Sequence, residues 1–166
     1  AATNLGRDKT VLVRMNPANC QELELLYEND QYDISSISYS RKRKKLLSVY
    51  CTGHKEPIRH YFDADEEALR TRIKAHFPNQ RYGIADTDKA EEHYLIYVGG
   101  DRTRGAYWFY DAQTDEATPM AELAPWIKAE DMNEMHAVKY ASRDGLTIEA
   151  YLTLPNGLSI NEAHQL

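Results

Sequence analysis

The sequence predicts a mainly β fold, a partial β-propeller of about two to two and a half blades with one helical insertion. The first observation is that apolar and polar residues alternate in a series of short segments, which is the period of a half-buried strand. The second is that about ten such segments recur at intervals of about 8–12 residues, a spacing typical of sandwiches, barrels and propellers. The third is a weak internal likeness between two strand pairs, which favours consecutive propeller blades.

Both of these strand pairs end on aromatic residues followed by aspartate. One ends at Tyr61-Phe62-Asp63 and the other at Phe109-Tyr110-Asp111. In each pair a strand, a charged or Gly-bearing turn and a second, aromatic strand follow one another. We expect the terminal Asp to accept hydrogen bonds from turn amides and so to start the next chain reversal.

Strands are predicted wherever the alternation holds. Residues 10–16 place Val11, Val13 and Met15 on one face. Residues 33–40 form a mixed strand, with Ile34 on one face and Ile37 and Tyr39 on the other. The other strand segments are 22–27, 44–52, 57–63, 81–86, 93–100, 105–114, 136–145 and 146–155.

Residues 63–78 break the β pattern. Leu69, Ile73 and Phe77 are spaced four apart, which is a helical period. Asp63 and Glu66 fit a capping box, the acidic first turn suits the positive end of the helix dipole, and the proline at position 78 ends the helix. A second, shorter helix is expected at 121–130, although Pro125 is a potential break.

Composition excludes several function classes. With 42% hydrophobic residues the chain is globular, and a net charge of −6 argues against a nucleic-acid binder. No apolar run approaches the roughly 20 residues of a membrane span. The first residues lack a signal-peptide pattern. If the chain is a piece of a longer protein, this absence says nothing about the parent protein, so the localisation is unknown.

Residues 140–157, YASRDGLTIEAYLTLPNG, predict a strand, a tight turn, a second strand and a Pro-Gly exit. In the turn, Asp144 and Gly145 are expected to be turn formers. The nine residues that follow are polar and too few to complete a domain. We interpret the chain as a piece of a longer protein, cut as the next domain begins.

Residues 138–157, VKYASRDGLTIEAYLTLPNG, resemble the junction between propeller and catalytic domain in the prolyl oligopeptidase family of serine peptidases. The upstream stretches HYFDADEEALRTRI and YVGGDRTRGAYWFYDAQT are similar to the last blades of that family's propeller. They most resemble the bacterial dipeptidyl-peptidase and acylaminoacyl-peptidase-like branch. The resemblance implies the end of a propeller at 1–135, and the junction and first strands of a truncated α/β-hydrolase domain at 136–166.

The family resemblance implies a Ser-Asp-His triad with its serine in a Gly-x-Ser-x-Gly turn. The nearest match, Gly157-Leu158-Ser159-Ile160-Asn161, lacks the second glycine, and we reject it. We therefore expect no catalytic, cofactor-binding or metal-binding residue in this chain, no cofactor, and no activity in the chain by itself. The resemblance implies that the parent protein hydrolyses a peptide bond in short peptides by acyl transfer to serine. The propeller would cap and gate the active site. The alternative that the parent cleaves esters is left open.

Other candidate sites have simpler structural interpretations. The six histidines (His54, His60, His76, His93, His136 and His164) show no metal-ligand spacing, and those at 60 and 93 are expected to be half-buried strand residues. Three further groups are expected to be structural. Cys20 and Cys51 are expected to be small buried or half-buried thiols. Residues 86–92 are expected to form an acidic turn between strands, without a complete calcium loop, and residues 41–45 a basic hairpin tip in water.

Residues 107–110, Tyr-Trp-Phe-Tyr, are expected to be core material. Alternation sends Tyr107 and Phe109 to one face of the sheet, and Trp108 and Tyr110 to the other. Because blades pack on both faces, both pairs would be covered in a propeller.

Two expectations concern partners. The parent protein would bind its peptide substrate through the missing hydrolase domain. The fragment itself is expected to self-associate through two terminal strands that lack partners, at 11–15 and 146–154. The alternative is a stand-alone β-propeller-like module that binds a protein partner and needs no further domain.

Overall fold

The computed structural model describes residues 1–54, 57–158 and 160. These residues form antiparallel sheets, one α-helix and a short 3-10 helix, and the chain divides into two compact units, Ala1–Glu67 and Ala68–Leu166. Sheets of three or four strands in chain order confirm the mainly β fold of a partial propeller. No helix among the described residues is both long and apolar enough to cross a membrane.

The first unit contains two three-stranded sheets in which sequential neighbours pair. One sheet has the order β1-β2-β3, and the other has the order β4-β5-β6. The strands are β1 (Ala2–Thr3), β2 (Val11–Met15), β3 (Glu22–Tyr27), β4 (Ile34–Ser40), β5 (Lys45–Cys51) and β6 (Ile58–Tyr61).

Strand β2 differs from its predicted one-sided pattern. Val11, Leu12 and Val13 are all buried, because β2 is the central strand between β1 and β3. Leu12 joins Ile34 and Val49 in the core of this unit. The expectation that residues 11–15 lack partner strands is therefore wrong.

The second unit is built on a four-stranded meander of order β10-β9-β8-β7. Helix α1 precedes this meander in the sequence. Its first residues belong to the first unit, and from Ala68 onwards the helix belongs to the second. These elements are α1 (Ala64–His76), β7 (Arg81–Thr87), β8 (His93–Gly100), β9 (Thr103–Asp111) and β10 (Glu116–Glu122).

The predicted stripe of α1 forms the core of the second unit. Leu69, Ile73 and Phe77 are buried against the sheet residues Tyr94, Ile96, Val98 and Tyr110. The start of the helix is also as predicted, because Asp63 Oδ1 accepts the backbone N–H of Glu66 at 2.9 Å. The predicted buried face of this helix is confirmed, and so is the Asp63 side of the predicted capping box.

Strand β10 was not predicted, and the second helix was predicted wrongly. β10 has no apolar alternation, is mostly exposed, and shifts register between Pro119 and Ala121. It is recognisable only through its pairing with β9. After it, residues 121–130 contain only the end of this strand, a loop, and the start of a 3-10 helix at Ala129–Asp131, since Pro125 cannot continue a helix.

The C-terminal hairpin forms as predicted. Strands β11 (Met135–Ala141) and β12 (Thr147–Thr153) pair in unbroken register from Met135 opposite Thr153 to Ala141 opposite Thr147. Gly145 has φ of +85°, which glycine adopts at little cost. The turn is held by the Ser142 hydroxyl, which donates to the carboxylate of Asp144 and to the carbonyl of Leu146.

Candidate functional site

A group of ionisable side chains in the second unit lies where the β7–β8 and β9–β10 turns meet. We call it the histidine–carboxylate edge, and define it as His76, Asp88, His93, Asp111 and Asp115. The two turns are adjacent because β8 and β9 pair with His93 opposite Asp111. A backbone hydrogen bond of 2.8 Å from Ala112 N–H to the carbonyl of Glu92 joins them directly.

Asp88 organises the β7–β8 turn. Its Oδ1 accepts the backbone N–H groups of Glu92 at 2.9 Å and His93 at 3.3 Å, and its Oδ2 lies 2.9 Å from His93 Nδ1. These hydrogen bonds to the ionised form, the Glu92 amide first, lower the pKa of Asp88 to about 2. This carboxylate therefore stays charged at any pH near neutrality.

His93 lies between two carboxylates. Its Nδ1 contacts Asp88, and its Nε2 is 3.9 Å from Asp111 Oδ2. The ring stacks on Phe109 with 5.4 Å between centroids. The hydrogen bond with Asp88 is the main cause that raises the pKa of His93, and the charges of Asp111 and Glu92 add to it.

Asp111 has the role expected of an aspartate at the end of an aromatic strand. Its Oδ1 accepts the N–H of Gln113 at 2.8 Å and that of Thr114 at 3.2 Å, which starts the β9–β10 turn. Its other carboxylate oxygen faces His93. One side chain thus holds its own turn and faces the neighbouring one.

Asp115 connects the same turn to helix α1. Its Oδ1 accepts the Tyr110 hydroxyl at 2.6 Å and lies 3.1 Å from His76 Nε2. The Tyr110 hydrogen bond is the main cause that lowers the pKa of Asp115, and burial is the main cause that raises the pKa of Tyr110. Arg72 Nη1 adds a 3.0 Å hydrogen bond to the carbonyl of Ala112.

The chemistry available at this edge is electrostatic support of turns. Each histidine contacts carboxylates or aromatic rings, and within the described part of the chain neither contacts a serine or cysteine that it could activate. Across the residues that the structure describes, no group of three or more His, Cys, Asp or Glu side chains could hold a metal ion. The contacts of this edge therefore hold the β7–β8 turn, the β9–β10 turn and helix α1 to one another.

The remaining histidines are scattered through the fold. His54 is buried, and His136 is half-buried in β11. His60 is exposed on β6, where it stacks on Tyr27 at 4.9 Å, so the expectation that it is half-buried is wrong. His60 lies on the edge strand β6, which has a neighbouring strand on one side only. His164 lies outside the described residues, and His93 is half-buried as expected.

The basic segment 41–45 is a hairpin tip between β4 and β5, as predicted. Two of its cations are not simply solvated. Arg43 Nη1 lies 2.9 Å and Lys45 Nζ 2.6 Å from separate oxygens of Asp63, whose side chain is 3% exposed. The tip therefore neutralises the buried carboxylate that caps α1. Arg43 lies 20 positions and Lys45 18 positions before Asp63 in the sequence, so no local pattern predicts these contacts.

The aromatic segment alternates as predicted, and Phe109 is its exposed member, since Tyr107 and Trp108 are half-buried. Tyr110 is fully buried and Trp108 packs against Phe77 and the helix core. On the other face, Phe109 is 39% exposed and stacks on His93. The expected coverage of both faces is wrong for Phe109, because helix α1 packs on the opposite face.

The two thiols differ in burial. Cys51 is buried in the core of the first unit, and burial raises the pKa of its thiol. Cys20 is exposed at a turn with φ of +57°, so the expectation that it is at least half-buried is wrong. The rejected match to a nucleophile turn cannot be placed, since Ser159 and Asn161 lie outside the described residues.

Comparison with known proteins gives the class of fold. No protein-family model matches the sequence, and no curated protein matches it. The chain is similar to the structure of a prolyl endopeptidase studied for inter-domain dynamics in catalysis and specificity, with a TM-score of 0.60 and 14% identity over 95% of this chain and 23% of that one. It is also similar to prolyl oligopeptidase B from Galerina marginata bound to a 35mer hydrolysis and macrocyclization substrate, with a TM-score of 0.55 and 15% identity over 90% of this chain and 21% of that one.

The chain therefore has the fold of part of the propeller region of prolyl oligopeptidases. It spans less than a quarter of the length of either structure. At these identities the likeness defines the fold and does not distinguish one branch of the family from another.

Proposed function

We propose that this chain is the propeller part of a serine peptidase of the prolyl oligopeptidase family. One observation carries the proposal: the likeness to a prolyl endopeptidase extends over 95% of this chain but only 23% of that one. Both compact units are thus included in a match to a much longer enzyme. The sequence resemblance at 138–157 supports the same family independently and favours the dipeptidyl-peptidase and acylaminoacyl-peptidase-like branch.

In this proposal the chain caps and gates an active site that other residues of the protein form. A propeller over the site would admit short peptides and exclude folded proteins. The neighbour from Galerina marginata, bound to its 35mer substrate, supports a peptide as the substrate class. Cleavage would proceed by acyl transfer to a serine in a Gly-x-Ser-x-Gly turn, a sequence that the 166 residues do not contain.

The described residues would then serve as a framework. The Asp63 cap, the α1 stripe and the histidine–carboxylate edge hold the helix and turns in place. The histidines of this edge contact carboxylates and aromatic rings, which supports a structural role for these two side chains.

The proposal is tested by determining the coding sequence beyond Leu166 and by assaying the full gene product. The proposal expects a reading frame that continues beyond Leu166 into a His-Gly-Gly stretch and a Gly-x-Ser-x-Gly turn. Hydrolysis of peptide p-nitroanilides, compared with that of p-nitrophenyl esters, would then separate a peptidase from an esterase. A stop codon directly after Leu166 would overturn the proposal and favour a stand-alone interaction module.

A further inference from the structure

We propose that His93 is a pH-sensitive latch between the β7–β8 turn and the β9–β10 turn, closed when its ring is protonated and loosened when the ring is neutral. The latch consists of three side chains, Asp88, His93 and Asp111, that bring together two turns separated in sequence by strands β8 and β9. This inference does not depend on the proposed function.

The two ring nitrogens of His93 have different roles. A neutral ring can keep its proton on Nδ1 and still donate to Asp88, 2.9 Å away, within its own turn. Its Nε2 then presents a lone pair towards Asp111 Oδ2 at 3.9 Å, and the two acceptors do not attract. Protonation places an N–H on Nε2, which converts the contact with the neighbouring turn into an ion pair.

The surroundings of His93 favour its charged form. Asp88 and Glu92 face it from its own turn, Asp111 faces it from the end of β9, and the ring lies over Phe109. The three carboxylates raise the pKa of His93, the hydrogen bond with Asp88 most strongly. The Asp88 carboxylate itself stays ionised, since its pKa is lowered to about 2.

The sign of the pH dependence follows from the raised pKa. Because the folded-state pKa of His93 exceeds its unfolded value, the stabilisation is fully present below about pH 6.5 and is lost as the pH rises through the folded value. His93 is 43% and Asp111 26% exposed at the side chain, so salt screens the contact and the effect is local rather than global.

Loosening of the latch would be transmitted along a short path. Asp111 also caps the β9–β10 turn through Gln113 and Thr114, and the Ala112 N–H bonds to the Glu92 carbonyl. On its far side this turn is held to α1 through His76, which lies beside Asp115, and through Arg72, which donates to Ala112. The amides of Ala112, Gln113 and Thr114 are therefore the place to observe opening.

The experiment uses the 166-residue chain and two NMR measurements. The first is the titration of the His93 ring, and the second is amide hydrogen exchange at about pH 6 and about pH 8, corrected for intrinsic rates. We expect the His93 midpoint to lie above that of an ordinary histidine. We also expect the protection of the Ala112, Gln113 and Thr114 amides to rise as the pH falls.

Two variants assign the effect. Asp111→Asn keeps an amide oxygen for the Gln113 and Thr114 caps but removes the charge facing His93, so the midpoint and the pH-dependent protection should both fall. His60→Gln is the matched control, because His60 is an exposed strand histidine that contacts aromatic rings and no carboxylate among the described residues. It should leave both measurements unchanged.

Three results would overturn the latch: equal protection at both pH values, a His93 midpoint at or below the ordinary value, or a full pH response in Asp111→Asn. If that variant disturbs the turn, salt decides the question on the unaltered chain. Added salt should move the His93 midpoint towards its ordinary value, and a midpoint independent of salt contradicts the ion pair.

Discussion

Lys45 Nζ lies 2.6 Å from a carboxylate oxygen of Asp63, and this pair links the β4–β5 hairpin to the first turn of α1. The Asp63 side chain is 3% exposed, and it also accepts from Arg43 and from the Glu66 amide. The hydrogen bond from Lys45 is the main cause that lowers the pKa of Asp63 to about 2. A single buried carboxylate thus caps a helix and fixes a hairpin tip.

Replacing Asp63 should be costly. We expect Asp63→Ala to lower the free energy of unfolding by about 2–3 kcal/mol, since a helix cap and two charge-assisted hydrogen bonds are lost together. Lys45→Met should cost about 1 kcal/mol because Arg43 still pairs with Asp63. Lys44→Met, at the exposed tip next to it, should change stability by less than about 0.5 kcal/mol. Urea denaturation measures all three, and equal effects of Lys44 and Lys45 would contradict the pairing.

The same carboxylate gives a prediction for acid stability. Because the pKa of Asp63 is lowered when the chain folds, its stabilisation is present above the unfolded value of about 3.9 and is lost as the pH falls towards about 2. Thermal unfolding should therefore show a steeper loss of stability between about pH 4 and 2 in the unaltered chain than in Asp63→Asn. Parallel curves for the two proteins would show that Asp63 does not couple to folding.

The buried face of α1 supplies the next test. Ile73 is 0% exposed in the core of the second unit. Ile73→Asp should destabilise the chain by about 2–4 kcal/mol, since a charge would be buried without a partner. Ala68→Asp, on the exposed face of the same helix, is the matched control and should cost less than about 1 kcal/mol. A similar loss from both variants in denaturant titration would mean that this face is not the core.

Self-association remains a prediction, and the structure suggests where to probe it. We expect the 166-residue chain to form dimers or larger species at micromolar concentration in light scattering. Met120, Leu123 and Trp126 are 60%, 45% and 77% exposed within one short segment, so Trp126→Ser should weaken association. Glu122→Ser, a change of an exposed polar residue in the same segment, serves as the control. A stable monomer mass for the unaltered chain would refute the expectation.

Local patterns were sufficient for much of the fold. Alternation located strands such as β8 and β9, and the spacing of Leu69, Ile73 and Phe77 located α1 and its buried face. Strand β10 escaped prediction because Pro119 and mostly exposed residues leave no alternation to read. Its existence depends on pairing with β9, which is tertiary information.

The candidate site was less accessible from sequence. The terminal Asp111 was predicted as a turn former, and its bonds to Gln113 and Thr114 confirm this. Its approach to His93 follows from the register of β8 and β9, which depends on the geometry of the turn between them as well as on the hydrophobic pattern. The contact of Lys45 with Asp63 depends in the same way on how β5 and the start of α1 are placed together.

Labelling of the full gene product with a fluorophosphonate probe, followed by peptide mapping, decides whether this chain belongs to a serine peptidase. We expect stoichiometric labelling of one serine within a Gly-x-Ser-x-Gly turn that lies outside these 166 residues. The 166-residue chain alone should stay unlabelled and should hydrolyse no peptide p-nitroanilide or ester above a buffer blank. Labelling within residues 1–166, or none in the full product, would contradict the assignment of this chain as the propeller part of a serine peptidase.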